Sequence, residues 1–447
     1  MLTTKKIAAP VVLAVLAAAF FFKTAQAAIP IQHWTQASGA QVYLVESPAI
    51  PMLDVQLDFD AGSRRDPPAQ AGLAEVTALM LGKGVAARGK DPALDENQLG
   101  QAWADLGATL SGEASNDRVS FSLRTLTDPD LLRRSVQLAA RQLGEPSWPD
   151  AVWQRERQRL SASLREARTR PGTVAQLAFD KAVFGSHPYG QETTPDTLAR
   201  IHVADIRARY AAVVPCRAKV SLVGAVTHAQ ADQIVTQLLS RLPQDSAACA
   251  PLPPVAEVAP LTAPVDQRIP FDSAQAHVLI GQPGYKRSDP AFFALLVGNH
   301  ILGGGGFTSR LTEQVREKRG LSYSVYSYFA PGLHAGAFTI GLQTRPDQAA
   351  QALALSQQVL RDFVADGPTE AELQAAKDNL IGGFALRIDS NRKLIANVAN
   401  IAWNNLPLDY LVHWTERVQQ VSTADIRTAF QRVLQPGNMV TVVVGGK

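Results

Sequence analysis

The side chains best suited to metal or nucleophilic chemistry are thinly spread in this sequence. Its eight histidines are His33, His187, His202, His228, His277, His300, His334 and His413, and no two stand three to five residues apart. A helix holds one ion with ligands at i and i+4, so no helical face here offers a histidine pair. Cys216 and Cys249 are the only cysteines and lack a CxxC spacing. They are either two free thiols or a disulfide. Cys216 precedes a strand-like run at 218–226 and Cys249 follows a helix-like run at 229–242. A strand with a helix running back along it brings those ends together, which favours the disulfide in an oxidising compartment. The run Gly303, Gly304, Gly305, Gly306 lacks the Gly-Lys-Ser/Thr ending of a phosphate loop. Such a run either lets a bound chain approach the backbone closely or makes a tight turn between helices. Arg316 and Tyr323, seven residues apart, combine a guanidinium able to hold a carbonyl with a phenol able to donate to an oxyanion. By spacing alone a surface arginine and a strand tyrosine on a sheet face are the better reading. Arg155, Arg157, Arg159, Arg165, Arg168 and Arg170 read as the solvated face of a basic helix.

The elements that position these residues fall into two halves. The chain has 447 residues, 46% hydrophobic and 19% charged, which fits a folded protein of two or more domains. Lys5 and Lys6, an apolar run at 7–22 and Ala25-Gln26-Ala27 have the three-part layout of a secretory signal, cleaved after residue 27. If the segment stays, it anchors the chain instead. Cleavage removes Lys5, Lys6 and Lys23 and no acidic residue, taking the formal charge from +3 to 0. A neutral chain has no bulk electrostatic attraction for nucleic acid or anionic lipid. Residues 244–268 carry Pro251, Pro253, Pro254, Pro260 and Pro264 and read as a linker between domains at 28–243 and 269–447. The halves look like repeats. Ala204-Asp205-Ile206-Arg207 returns as Ala424-Asp425-Ile426-Arg427, and each is followed by a proline and a strand ending in glycine, at an offset of 220–221 residues. Leu53, Val55, Leu57 and Phe59 alternate with Asp54, Gln56, Asp58 and Asp60, a pattern that buries one sheet face and wets the other. Val119, Phe121 and Leu123, and Phe338, Ile340 and Leu342, repeat it. Helical periodicity at 73–80, 95–106, 131–143 and 349–363 completes an α+β layered domain, present twice.

Gly62-Ser63-Arg64-Arg65-Asp66, Gly72-Leu73-Ala74 and Met80-Leu81-Gly82-Lys83-Gly84 resemble the flanks of the zinc helix in the inverzincin peptidases, the family of pitrilysin, insulin-degrading enzyme and the mitochondrial processing peptidases. Their helix carries His-x-x-Glu-His, two ligands and a general base. Residues 75–79 read Glu-Val-Thr-Ala-Leu, so Glu75 and Leu79 stand at the ligand positions and Ala78 at the base. The family's spacing to its third ligand, counted from Leu79, lands on Glu156. The dipeptide Glu156-Arg157, however, matches an earlier Glu-Arg of the family and moves the ligand position to Ser163, with Pro171 in its expected place downstream. In the second half, Asn299-His300-Ile301-Leu302, the glycine run, Ser309-Arg310-Leu311 and residues 315–324 resemble the family's C-terminal repeat. There an arginine and a tyrosine reach across a chamber to the zinc. The resemblance gives those roles to Arg316 and Tyr323 and implies peptide contact at Gly303 to Gly306. It extends through Leu406-Pro407-Leu408-Asp409-Tyr410-Leu411 and so covers the mature chain. It implies two homologous α+β domains, each a mainly antiparallel sheet with helices packed on it, forming half of a clamshell. It further implies no metal bound by this chain, a zinc-bearing paralogous peptidase subunit as partner, and peptide or unfolded segments as substrate. Nucleic acid is not expected as a partner, membrane contact is expected only if the signal is uncleaved, and the periplasm is the expected location. The same fold also serves non-enzymatic structural or peptide-binding proteins, and that remains the alternative.

Overall fold

The computed structural model describes residues 29–243 and 249–446. The export segment read at 1–27 lies outside them. The first half forms a sheet of six strands: β1 (Gln32–Thr35), β2 (Gln41–Glu46), β3 (Met52–Phe59), β4 (Thr109–Ala114), β5 (Val119–Leu126) and β6 (Lys219–Gly224), in the spatial order β1-β2-β6-β3-β5-β4. The second half forms a sheet of five: β7 (Val265–Ile269), β8 (Ala276–Pro283), β9 (Ser324–Phe329), β10 (Ala337–Thr344) and β11 (Val440–Val444), in the order β9-β10-β8-β11-β7.

Outward from its parallel pair, each sheet has the same sequence of partners. In the first, β2 runs parallel to β6, and β3, β5 and β4 follow antiparallel. In the second, β7 runs parallel to β11, and β8, β10 and β9 follow antiparallel. Leu57 stands between Val220 and Phe121 as Ile280 stands between Thr441 and Ile340. The repeated Ala-Asp-Ile-Arg has a physical cause in both places. Asp205 and Asp425 accept the backbone N–H of His202 and Ser422 at 2.8 and 2.9 Å, closing a capping box, while Ile206 and Ile426 are wholly buried.

Five helices bear on the site and on the join between the halves: α1 (Leu73–Met80), α2 (Asp150–Ala167), α3 (Pro171–Phe184), α4 (Phe292–Asn299) and α5 (Asn391–Trp403). Each half sends one of them onto the other half's sheet. α3 buries Ala175, Phe179 and Val183 against Leu279, Val440, Val442 and Val444 of the second sheet. Gly281 makes the close approach possible, since a Cβ there would fall 2.7 Å from the Phe179 ring and 1.9 Å from the Phe338 carbonyl oxygen. In return, α5 packs across β2, β3 and β6 of the first sheet. Leu394, Ile395 and Val398 join a core that includes Tyr43, Val45 and Val223.

This exchange corrects one expectation from the sequence. The polar side of β3 is not wet, because α5 covers it. Asp54 and Asp58 are buried, and Asp58 is compensated by Arg118 at 3.1 Å, the Ser120 hydroxyl at 2.5 Å and the Gln56 amide at 2.9 Å. Lys219 donates to the Ala402 carbonyl at 2.7 Å and to Asn405 Oδ1 at 2.6 Å. The alternation marks a polar seam between halves.

Cys216 is disulfide-bonded to Cys249, with Cα atoms 5.9 Å apart. From there the proline-rich stretch runs as a strap pinned to both halves. Pro253 O accepts from Arg65 at 2.9 Å, Ala256 O accepts from His187 Nε2 at 3.0 Å, and Glu257 pairs with Lys286 at 2.7 Å. Its last residues, read as linker, form strand β7. They sit at the edge of the second sheet, where proline-free Val265–Ile269 can pair.

Candidate functional site

Helix α1 is set by its start. The Asp66 carboxylate accepts the Ala74 N–H at 3.1 Å, and Gly72 takes φ 97°, a left-handed conformation that favours glycine. Burial pushes Asp66 up to about 6, against the Ala74 N–H and the Arg209 charge. The helix carries Glu75, Ala78 and Leu79 together. Ala78 is buried, and Glu75 is exposed on a crowded surface that raises its carboxyl by desolvation. Edge strand β4 runs directly beside it, since a Cβ on Gly112 would fall 2.9 Å from Ala78 O.

Ser163 lies on the exposed side of α2. Glu156, the other position in question, is buried in α2 and tied to Lys83 at 3.3 Å, Arg155 at 2.9 Å and Arg159 at 2.8 Å. Burial pushes that carboxyl up, but the hydrogen bonds from Arg155 and Arg159 and the Lys83 charge override it and hold it at about 2. Of the four positions where zinc chemistry would sit, only Glu75 has a metal-binding side chain. No cluster of three or more His, Cys, Asp or Glu residues able to hold a metal occurs among the described residues. The residues present do not fit a zinc ion.

The second half is different. After α4 the chain winds through a π-helical turn, His300–Gly304, then a 3₁₀ turn, Gly306–Thr308, then a second π-helical turn, Thr312–Glu317. Such wide turns concentrate at functional sites. The glycines have internal causes. A Cβ on Gly303 would fall 2.5 Å from Ser327 N, one on Gly304 would meet Asn299 Nδ2 at 2.7 Å, and one on Gly305 would meet His300 O at 2.6 Å. Gly306 adopts φ 64°. Together they let the loop fold back and carry Phe307 over Arg316. The Arg316 guanidinium lies 4.8 Å from the Phe307 ring centre and 5.0 Å from that of Tyr323, with Glu317 3.2 Å from its Nε.

Gly303, Gly304, Gly306, Arg316 and Tyr323 line one groove of about 580 Å³. Tyr323 is 81% exposed and Phe307 71% exposed, so neither ring is held in the chain's own core. No group among the described residues bonds the Tyr323 hydroxyl. Edge strand β9 forms the far wall, where Tyr326 and Tyr328 alternate outward and stack with ring centres 6.0 Å apart. Gly341 admits the Tyr326 ring, since a Cβ there would fall 2.5 Å from it. Ser327 donates to Asn299 Oδ1 at 2.8 Å and ties this strand to α4. Sequence reading missed Phe307, Tyr326, Tyr328 and Asn299. The tyrosines had a signal, their alternation along Ser-Val-Tyr-Ser-Tyr-Phe. A groove offering a phenol, a guanidinium and stacked rings can bind and polarise an extended peptide.

Known proteins resemble this chain over most of its length. Residues 201–380 match the family described as peptidase M16 inactive domain. A crystal structure of a peptidase M16 inactive domain from Pseudomonas fluorescens is 33% identical and superposes with a TM-score of 0.87, covering 93% of this chain and 98% of the other. An uncharacterized zinc protease of Streptomyces coelicolor is 26% identical, over 90% of this chain and 87% of its own. The non-peptidase homolog YmxG of Helicobacter pylori is 24% identical, over 94% and 95%.

Proposed function

The chain belongs to the peptidase M16 family as an inactive-domain member, and on that premise we propose that it is the zinc-free subunit of a heterodimeric peptidase acting on peptides or unfolded segments. The observation that carries this is the groove in which Arg316 and Tyr323 meet with an exposed, unbonded phenol, in a chain whose α1 holds Glu75, Ala78 and Leu79 where metal ligands and base would be. The metal chemistry is the partner's, on a paralogous chain with His-x-x-Glu-His. This chain's share is to bind and orient. The Tyr323 hydroxyl donates to the substrate oxygen on which negative charge develops, and the Arg316 guanidinium holds a neighbouring peptide carbonyl. The chain works after export to the periplasm, where the Cys216–Cys249 bond persists.

A second reading, a structural or peptide-holding protein with no catalytic share, is favoured by the local engagement of Arg316 with Phe307, Tyr323 and Glu317. Peptide hydrolysis by the co-expressed pair separates the two. Removing one donor to a developing oxyanion costs on the order of 10²-fold or more in turnover. Arg316→Ala and Tyr323→Phe should each cause a loss of that order while the two chains still co-purify. Unchanged turnover in both would leave the second reading standing.

A further inference from the structure

Beside the Arg316–Tyr323 groove, and sharing Tyr328 with it, lies a second pocket of about 460 Å³ between the two halves. One wall is α3, with Gln176 and Asp180; the segment packed on its end brings Tyr189 and Gln191, with Asp117 beside them; the second sheet contributes Thr339. Its polar groups are unevenly satisfied. Asp117 is fully engaged. Its Oδ1 accepts from Tyr189 at 2.6 Å with Arg64 3.4 Å away, and its Oδ2 accepts the Leu333 N–H at 2.9 Å. Asp180 accepts from the Gln176 amide at 2.8 Å through one oxygen, and no cation among the described residues pairs with it. Burial pushes it up to about 6, opposed by that single hydrogen bond. Thr339 is 1% exposed, yet its hydroxyl has no partner among the described residues, and neither has the buried Gln191 Oε1. A buried polar atom without a partner costs free energy unless something arrives to bond it.

We propose that this pocket is a binding site for an alkylammonium group of a peptide, either a lysine side chain or a free N-terminus. An ammonium carries three donors and no acceptor. Three lining side chains have an oxygen without a protein donor among the described residues: Asp180 at its second oxygen, Gln191 at Oε1 and Thr339 at its hydroxyl. The charge also matches, since Asp180 is a carboxylate without a counter-ion. Because Tyr328 lines both cavities, one extended peptide can lie along β9 and place its cation here. The site rests on the reading that the chain holds peptides, and it names the class of peptide that is held.

Fluorescence anisotropy on the full mature chain tests it with three peptides labelled at the C-terminus. The first is Nα-acetylated with one lysine. The second is the same peptide with norleucine in place of lysine. The third has norleucine and a free N-terminus. At least one cationic peptide should bind about tenfold more tightly than the neutral one, the size of a single charge-assisted contact, and which of them does so identifies the source of the ammonium. Asp180→Asn should erase that preference while leaving the neutral peptide's affinity in place. The isosteric Thr339→Val should reduce it, and decides the matter if Asp180→Asn fails to fold. Equal binding of all three peptides, or a preference that survives both variants, overturns this site alone. Binding of none of them removes the peptide-holding reading and the site with it.

Discussion

Two carboxylates, Glu156 buried and Asp180 half-buried, give opposite responses to pH. Glu156 sits among Lys83, Arg155 and Arg159 and is held at about 2, below its ordinary 4.5. Its stabilising share is therefore present above about pH 4.5 and lost as pH falls toward 2. Asp180, without a counter-ion, is raised from 3.8 to about 6. Its ionised form opposes folding, so its penalty is absent below about pH 3.8, builds as pH rises toward 6 and is complete above it. Melting temperatures across pH should show Glu156→Gln below the parent at pH 7 by the equivalent of roughly 2 kcal/mol, with the gap narrowing in acid. Asp180→Asn should stand above the parent at pH 7.5 and draw level with it only below its ordinary 3.8. Parallel curves for either variant would contradict the assigned environments. At this scale the sequence was readable where residues are close in the chain. Arg316 and Tyr323 keep a spacing and flanks that fix one groove. Asp180 and Gln191 stand close in the chain, but Thr339 comes from the sheet of the other half on which α3 is seated, and no local pattern connects the three.

The elements were legible in type and less so in surroundings. The periodicity at 73–80 is the helix Leu73–Met80, and the alternation from Leu53 to Phe59 is the strand Met52–Phe59. What that alternation concealed was the cover on its polar side, because α5 begins at Asn391, more than three hundred residues later. Burial of Asp58 then depends on Arg118 and Ser120 arriving from β5 and its turn. The reverse exchange is apolar. Phe179 of α3 is wholly buried on the second sheet, and removing a buried phenylalanine side chain costs about 3–5 kcal/mol. Phe179→Ala should lower stability by that amount in urea unfolding. Because α3 belongs to one half and its seat to the other, far-ultraviolet ellipticity and tryptophan fluorescence should still move together in one transition. A variant in which the second sheet melts alone would mean that the helix is not shared as described.

As a whole, the molecule is two sheets with one five-strand order in common, the first bearing β1 as an extra edge strand, joined by exchanged helices and a strap that starts at the Cys216–Cys249 bond. The halves have diverged in chemistry. The first carries the helix on which metal would be bound and lacks the residues to bind it, while the second keeps a groove of exposed aromatic rings around Arg316 and Tyr323. That asymmetry was visible in the sequence because both blocks are short and contiguous. The fit between the halves was not, since it rests on contacts between residues hundreds of positions apart. Whether the chain contributes half of an active site and no metal is decided by measuring zinc content and peptide hydrolysis in three samples: the chain alone, its His-x-x-Glu-His paralogue alone, and the two co-purified. Zinc is expected only in samples containing the paralogue, with no hydrolysis by this chain alone and turnover by the pair far above that of the paralogue by itself. Zinc-dependent hydrolysis by this chain alone, or a pair no faster than the paralogue, would contradict the division of labour between the two chains.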